Sequence, residues 1–285
     1  MSGRRRGLAV TTWLYLVWTL VPVVIAVLFS FNDGRSRSTW QGFSLRWWTG
    51  DPEQSLLHDP TLRTALRNSL VLAAGTIAIA VPLGVALAIG LHRWRARTAR
   101  VVNWTNSIPL ITPEIVMGAA LLISFDHLLT WVPLGRPAQL VGHVTFTLSF
   151  VVVTVRGRLV SIGHAYEDAA RDLGATPIQA MRWILLPLLT PAIVASVVIV
   201  FASSIDDFVI SSFLKADAST ETVPVRIYSA VRSSSSPSLN ALATMMVVIS
   251  FFALAITMYV LTRIQRRRGG EGLRSAMGDV TQMDV

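Results

Sequence analysis

The chain of 285 residues contains no cysteine. Disulfides, thiolate catalysis and cysteine-ligated metal are therefore all excluded. Lysine is almost missing too: Lys215 stands alone, and Ala216 follows it. A nucleotide-binding P-loop needs Gly-Lys before Ser or Thr, so any ATP that drives this protein must be bound by another chain. Serines and histidines are present without a nucleophile-elbow sequence. His127, His143 and His164 lack metal-ligand spacing and read as structural. No enzyme activity, no metal site and no cofactor of its own is expected. Charge in general is scarce, at 14% of residues against 52% hydrophobic, a balance that points away from a soluble globule and toward membrane. The net charge of +9 does not imply nucleic acid, because the basic residues sit in short clusters beside apolar runs, as topology signals do.

What the chain does have is long apolar runs. The first, Leu8 to Phe31, follows Arg4, Arg5 and Arg6; it exceeds a signal-peptide core and lacks a small-residue cleavage pattern, so it reads as an uncleaved span. Residues 32–65 are polar, with Trp40, Trp47 and Trp48 expected at the membrane surface. A second run, Asn68 to Leu91, carries Gly75, Gly84 and Gly90, small residues that let membrane helices approach. After Arg93, Arg95, Arg97 and Arg100, the run Val101 to Phe125 is broken by Pro109, Pro113 and Glu114. That pattern predicts a kinked or discontinuous helix whose freed backbone is buried in protein or lines a cavity. Further spans are expected at about Leu140 to Val155, Leu188 to Leu214 and, beyond the serine run Ser233 to Ser236, at about Leu239 to Thr262. Six spans put both termini on one side. Placing them in the cytoplasm leaves 16 of the 25 Lys and Arg inside, as the positive-inside rule requires.

That orientation makes the segment from Glu167 to Pro191 cytoplasmic. Its residues spell two short helices joined at Gly174, a position suited to positive φ at a helix end. Thr176, Pro177 and Gln179 form the start of the second helix as a capping box, and Pro187 and Pro191 are expected to stop or kink it. Ala169 and Ala170 leave a side-chain-poor face suited to close docking.

Three acidic residues sit where an ionised group is costly and usually functional. Helix rise puts Asp206 roughly 27 Å up a core about 30 Å thick, and Glu114 roughly 20 Å up. Glu114, Asp206 and Asp207 thus tend to the outer half, where they would attract a cation entering from outside. Phe208, Phe213 or Trp131 would add cation–π contact. Two plainer roles stay open for the aspartates: capping a helix break or pairing with an arginine.

The cytoplasmic segment resembles the EAA motif of permease subunits of bacterial ABC importers at Ala169, Ala170, Gly174, Ile184, Leu186 and Pro187. Asp168 stands where the family usually has glutamate, which keeps the charge and shortens the reach. The resemblance extends over most of the chain, most clearly Leu66 to Thr262. HVTFTLSFVVVTVRGRL (His143 to Leu159), SIDDFVISSFL (Ser204 to Leu214), VPVRIYSAVR (Val223 to Arg232) and SPSLNALATMM (Ser236 to Met246) are similar to the polyamine (spermidine/putrescine) branch.

The resemblance implies an all-α, six-helix polytopic fold of the type I ABC importer permease. In that scheme residues 1–65 hold a first helix and an extracytoplasmic segment. Residues 66–262 form the core with a coupling loop at about 157–187, and 263–285 form a flexible cytoplasmic tail. The implied setting is the bacterial cytoplasmic (inner) membrane. Its partners would be a second homologous permease, a dimer of cytoplasmic ATPases that binds the ATP, an extracytoplasmic binding protein and membrane lipid, with no nucleic acid. The helix from about Tyr166 to Leu173 would be the coupling helix. Glu167, Asp168, Ala169, Ala170, Arg171, Asp172, Gly174, Ile184, Leu186 and Pro187 would carry the ATPase contact, and Glu114, Asp206, Asp207 and Phe208 the substrate pathway. Rival readings are a permease of this class for another small solute, an ATP-independent cation carrier, and a membrane anchor without a pathway. Neither of the last two needs a docking helix.

Overall fold

Backbone amides in hydrocarbon have no water to bond, so a chain with runs this long must satisfy them within helices. A computed structural model describes the backbone of residues 2–36, 39–93, 97–233 and 237–282. The expected roles of Arg95 and of Ser234 to Ser236 lie outside the described residues. In order, the helices are α1 (Ser2–Phe29), α2 (Pro60–Arg93), α3 (Arg97–Ile111), α4 (Glu114–His127), α5 (Arg136–Ile162) and α6 (Ala165–Asp172). They continue with α7 (Pro177–Ala180), α8 (Leu186–Asp206), α9 (Val209–Leu214), α10 (Val223–Ser233) and α11 (Ser238–Gln282). Among the described residues the β-structure is one isolated bridge, Asn32 to Phe43.

Five stretches are long and apolar enough to cross a membrane: 7–29, 60–93, 136–162, 177–206 and 238–263. The candidate for a sixth is the bent pair 99–111 and 114–127, a broken span or a re-entrant loop whose two helices meet at 114°. Proline chemistry accounts for the bend. Pro113 is held extended (φ −57°, ψ 134°) and starts α4, while having no N–H to continue α3. Glu114 is therefore the first residue of a helix, placed at the break of that pair. The fifth span also differs from expectation. It ends at Asp206, and α9 restarts at Val209, so the two aspartates occupy a helix break. Pro187 and Pro191 do not stop the helix ahead of them. A π-helical turn, Met181–Leu185, joins α7 to α8, and Pro187 lies in the first turn of α8, where a missing N–H costs nothing. Pro191 is carried inside α8.

The chain divides into two compact units, residues 1–69 with 216–249, and residues 70–215 with 250–285. In the first, Leu56, Leu62, Ala65, Val223, Leu239 and Leu242 form the core. Trp47 is fully buried and its indole donates to the Asn32 carbonyl at 2.7 Å. This corrects the surface position expected for it: a buried indole needs an acceptor, and the Asn32 turn supplies one. Beside it, backbone N–H groups of Gln54 and Glu53, with Arg46, hold the Asp51 carboxyl below its ordinary range.

In the second unit α5 packs along α8 more extensively than any other pair. Val81, Val85, Val151, Val155, Leu159, Leu185, Leu189 and Val200 fill the interior. Gly84 marks where α2 and α5 touch: a Cβ there would lie 2.6 Å from Val151 Cβ. Gly75 serves similarly against Leu140, whereas Gly90 has no atom within 4 Å of its Cβ position. Gly84→Ala should therefore force the helices apart and lower the unfolding midpoint of the detergent-solubilised protein by several degrees, the signature of an overpacking cost of about 1–3 kcal/mol. Gly90→Ala serves as the comparison and should leave the midpoint unchanged or slightly raised. Equal midpoints in the two variants would show that this contact is not tight.

Candidate functional site

The break after α8 shapes one end of the second unit. Asp207 is extended (φ −64°, ψ 119°), and its carboxylate folds over the start of α9. Oδ1 accepts from Ile210 N at 3.3 Å and Oδ2 from Ser211 N at 2.8 Å, the role short acidic side chains play at helix starts. Oδ2 also lies 3.2 Å from His143 Nε2, with the two side chains 5% and 1% exposed. Asp207 is therefore buried and fully partnered. The capping role left open by the sequence is the one it fills, and its side-chain partner is a histidine rather than an arginine.

Asp206 and Glu114 are exposed instead. They share with Asp207 a cavity of about 350 Å³, lined also by Phe146, Phe150, Ser203, Phe208 and Val209. The structure thus brings together all four residues expected in the pathway. It does not bring the other two aromatics. Trp131 is 78% exposed and absent from the lining, and the Phe213 ring lies 2.8 Å from the Cβ position of Gly118, packed between α4 and α9. Their place is taken by Phe146 and Phe150, whose rings meet edge to face at 5.3 Å. Sequence reasoning missed these two, although their i, i+4 spacing puts them on one face of α5. Chemically, the cavity offers carboxylates and aromatic faces, the combination that holds organic cations. Among the described residues no group of three His, Asp or Glu is close enough to hold a metal ion.

The cytoplasmic segment forms as its punctuation predicts. α6 closes with Gly174 N bonded to Arg171 O at 2.9 Å and Ala175 N to Ala170 O at 3.0 Å, and Gly174 has φ +87°. Thr176 and Gln179 make the capping box in both directions. Glu167 forms an ion pair with Arg93, and the His164 ring stacks on His92 at 5.2 Å, which ties α6 to the end of α2. A cleft of about 290 Å³ lies there, lined by His92, Arg93, His164, Glu167, Asp168 and Arg171.

The two alanines part company. Ala169 is exposed, while Ala170 is buried, and the Ala170 carbonyl accepts the turn's closing bond from Ala175 N. The surface that faces outward holds Asp168, Arg171, Asp172 and three apolar side chains that sequence reasoning overlooked: Leu173 at 91% exposure, Ile178 at 71% and Trp183 at 71%. Ile184 is half-buried and Pro187 exposed, and Leu186 packs on the interior of its unit.

Comparison with known proteins places these features in context. A family model described as "Binding-protein-dependent transport system inner membrane component" matches residues 80–269. The chain is 36% identical over 274 residues to the spermidine/putrescine transport system permease protein PotC of Escherichia coli (strain K12), covering 95% of this chain and 99% of that protein. It is 33% identical over 263 residues to the putrescine transport system permease protein PotI of the same strain, covering 90% and 89%. Among solved structures, a bacterial ABC transporter involved in the import of the acidic polysaccharide alginate matches with a TM-score of 0.70 at 17% identity, covering 90% of this chain and 97% of that one. The MetNI methionine ABC transporter in an inward-facing conformation matches with a TM-score of 0.57 at 19% identity, covering 71% and 93%. At such identities the likeness is one of fold.

Proposed function

The chain belongs to the family of binding-protein-dependent transport system inner membrane components, and on that premise we propose that it is the permease subunit of an ATP-driven importer of polyamines such as spermidine and putrescine. It is a multi-pass transport component of the ABC importer permease fold. The observation that carries the substrate class is the shared cavity: Glu114, Asp206 and Asp207 with Phe146, Phe150 and Phe208. A linear polyamine presents several ammonium groups separated by methylene stems, and carboxylates together with aromatic rings complement both parts. The relatives named for spermidine and putrescine over nearly the full chain support the same class.

Energy enters mechanically in this reading. A dimer of partner ATPases binds the ATP and grips the segment around α6, where the apolar side chains of Leu173, Ile178 and Trp183 and the charged ones of Asp168, Arg171 and Asp172 are exposed. Glu167 and Gly174 hold the segment's shape rather than its contact. Both termini lie in the cytoplasm, a second homologous permease completes the pathway, and an extracytoplasmic binding protein delivers the substrate. The test is reconstitution of this chain with its partner permease, ATPase and binding protein in proteoliposomes. Uptake of labelled putrescine and spermidine is expected only with ATP and all four components. Uptake by this chain alone under an ion gradient would instead identify a secondary carrier.

A further inference from the structure

His143 has no part in the cavity lining, yet it touches every piece of the break that builds the cavity. Its ring is 1% exposed. Nδ1 lies 2.9 Å from Ser204 Oγ on α8, and Nε2 lies 3.0 Å from Ser211 Oγ on α9 and 3.2 Å from Asp207 Oδ2 between them. An ionised carboxylate only accepts hydrogen bonds. Nε2 is accordingly the nitrogen that carries the proton and donates to Asp207, and Nδ1 can accept from the Ser204 hydroxyl. One ring on α5 thus spans the gap between two helices and orients the carboxylate in that gap. One turn further along α5 the chain contributes Phe146, and two turns along Phe150, to the cavity itself.

Resting on the polyamine reading of that cavity, we propose that His143 is a positioning residue for substrate binding, acting through Asp207. The ring keeps Asp207 turned toward the cavity wall and sets the rotation of the break, and with it the direction of Asp206. Bulk packing of α5 on α8 does not depend on it, because that contact is carried by apolar residues such as Val151, Val155, Leu189 and Val200. Loss of the ring leaves that apolar contact in place and removes one partner each from Asp207, Ser204 and Ser211, so accumulation in the membrane is measured beside uptake. Buried polar groups of this kind specify geometry more than they add stability.

The experiment measures labelled putrescine and spermidine uptake by the complete importer, normalised to the transporter present in the membrane. His143→Leu should raise KM about tenfold, the worth of a hydrogen bond to a charged group, while leaving the maximal rate per transporter within about twofold. His143→Gln, whose amide can donate from near the Nε2 position, should recover most of the loss. In a double variant, His143→Leu should add much less to Asp207→Asn than it costs alone, because the ring acts chiefly through that carboxylate.

Should His143→Leu fail to accumulate in the membrane, Ser204→Ala carries the same test, since it releases only Nδ1: a KM raised about threefold is expected. Three results would overturn the proposal: an unchanged KM in these variants, effects of His143 and Asp207 that multiply, or no recovery with glutamine. An unchanged KM in Asp206→Asn and Glu114→Gln as well would bring down the cavity reading itself. If those two raise KM while His143 variants do not, the positioning role alone is lost.

Discussion

Replacing Asp206 with asparagine should raise the KM for labelled putrescine and spermidine by roughly 10- to 100-fold in the assembled importer, with the amount of protein in the membrane unchanged. Asparagine has the same shape, and Asp206 is the exposed last residue of α8, so the change removes a charge and little else. What is lost is one charge-assisted contact to an ammonium group beside the aromatic rings of the cavity. Asp207 is expected to behave differently. Its carboxylate caps α9 through Ile210 and Ser211 and meets His143. Asp207→Ala leaves those donors buried without an acceptor, at about 1–3 kcal/mol each, and should abolish uptake and reduce the folded protein together. Two aspartates adjacent in sequence are thus expected to fail by different routes. Unchanged uptake kinetics in Asp206→Asn would remove that residue from the pathway.

Gly174→Val should cut uptake below roughly a tenth of the parent rate, the effect of a misfit exceeding about 1.4 kcal/mol at the power stroke. No atom lies within 4 Å of the Cβ position, so the obstacle is the backbone alone. Gly174 sits at φ +87°, a region that a β-branched residue occupies only with strain of about 1–2 kcal/mol or more. α6 has eight residues, too few to be stable on its own. Its ending therefore depends on the bonds from Gly174 and Ala175 back to Arg171 and Ala170. If valine displaces that turn, the join between α6 and α7 changes, and the partner ATPase loses its dock. Gly174→Asn tolerates positive φ better and should retain most of the uptake. Co-purification of the ATPase with substrate-stimulated hydrolysis intact in the valine variant would rule out the coupling role.

Much of this protein follows from local chemistry that the sequence states outright. Hydrocarbon allows only helices for runs such as those in α2 and α8, so their number and class were legible. So were the break at Pro113, the turn at Gly174 and the capping box of Thr176 and Gln179, because each depends on residues within one helical turn. An acidic residue in an apolar run also announces itself, whatever surrounds it.

Other features belong to the tertiary structure. Periodicity assigns faces within one helix and is lost across a break, so the burial of Asp207 and exposure of Asp206 depended on how α9 turns from α8. His143 read as an ordinary core histidine until α5 brought it against that break. Trp47 read as a surface aromatic until the Asn32 carbonyl was found beneath it. Ala170 is buried, while Leu173, Ile178 and Trp183 are exposed. The underlying reason is that lipid and protein interior are both apolar. Composition marks a segment as membrane-spanning, but only packing decides which of its sides meets another helix.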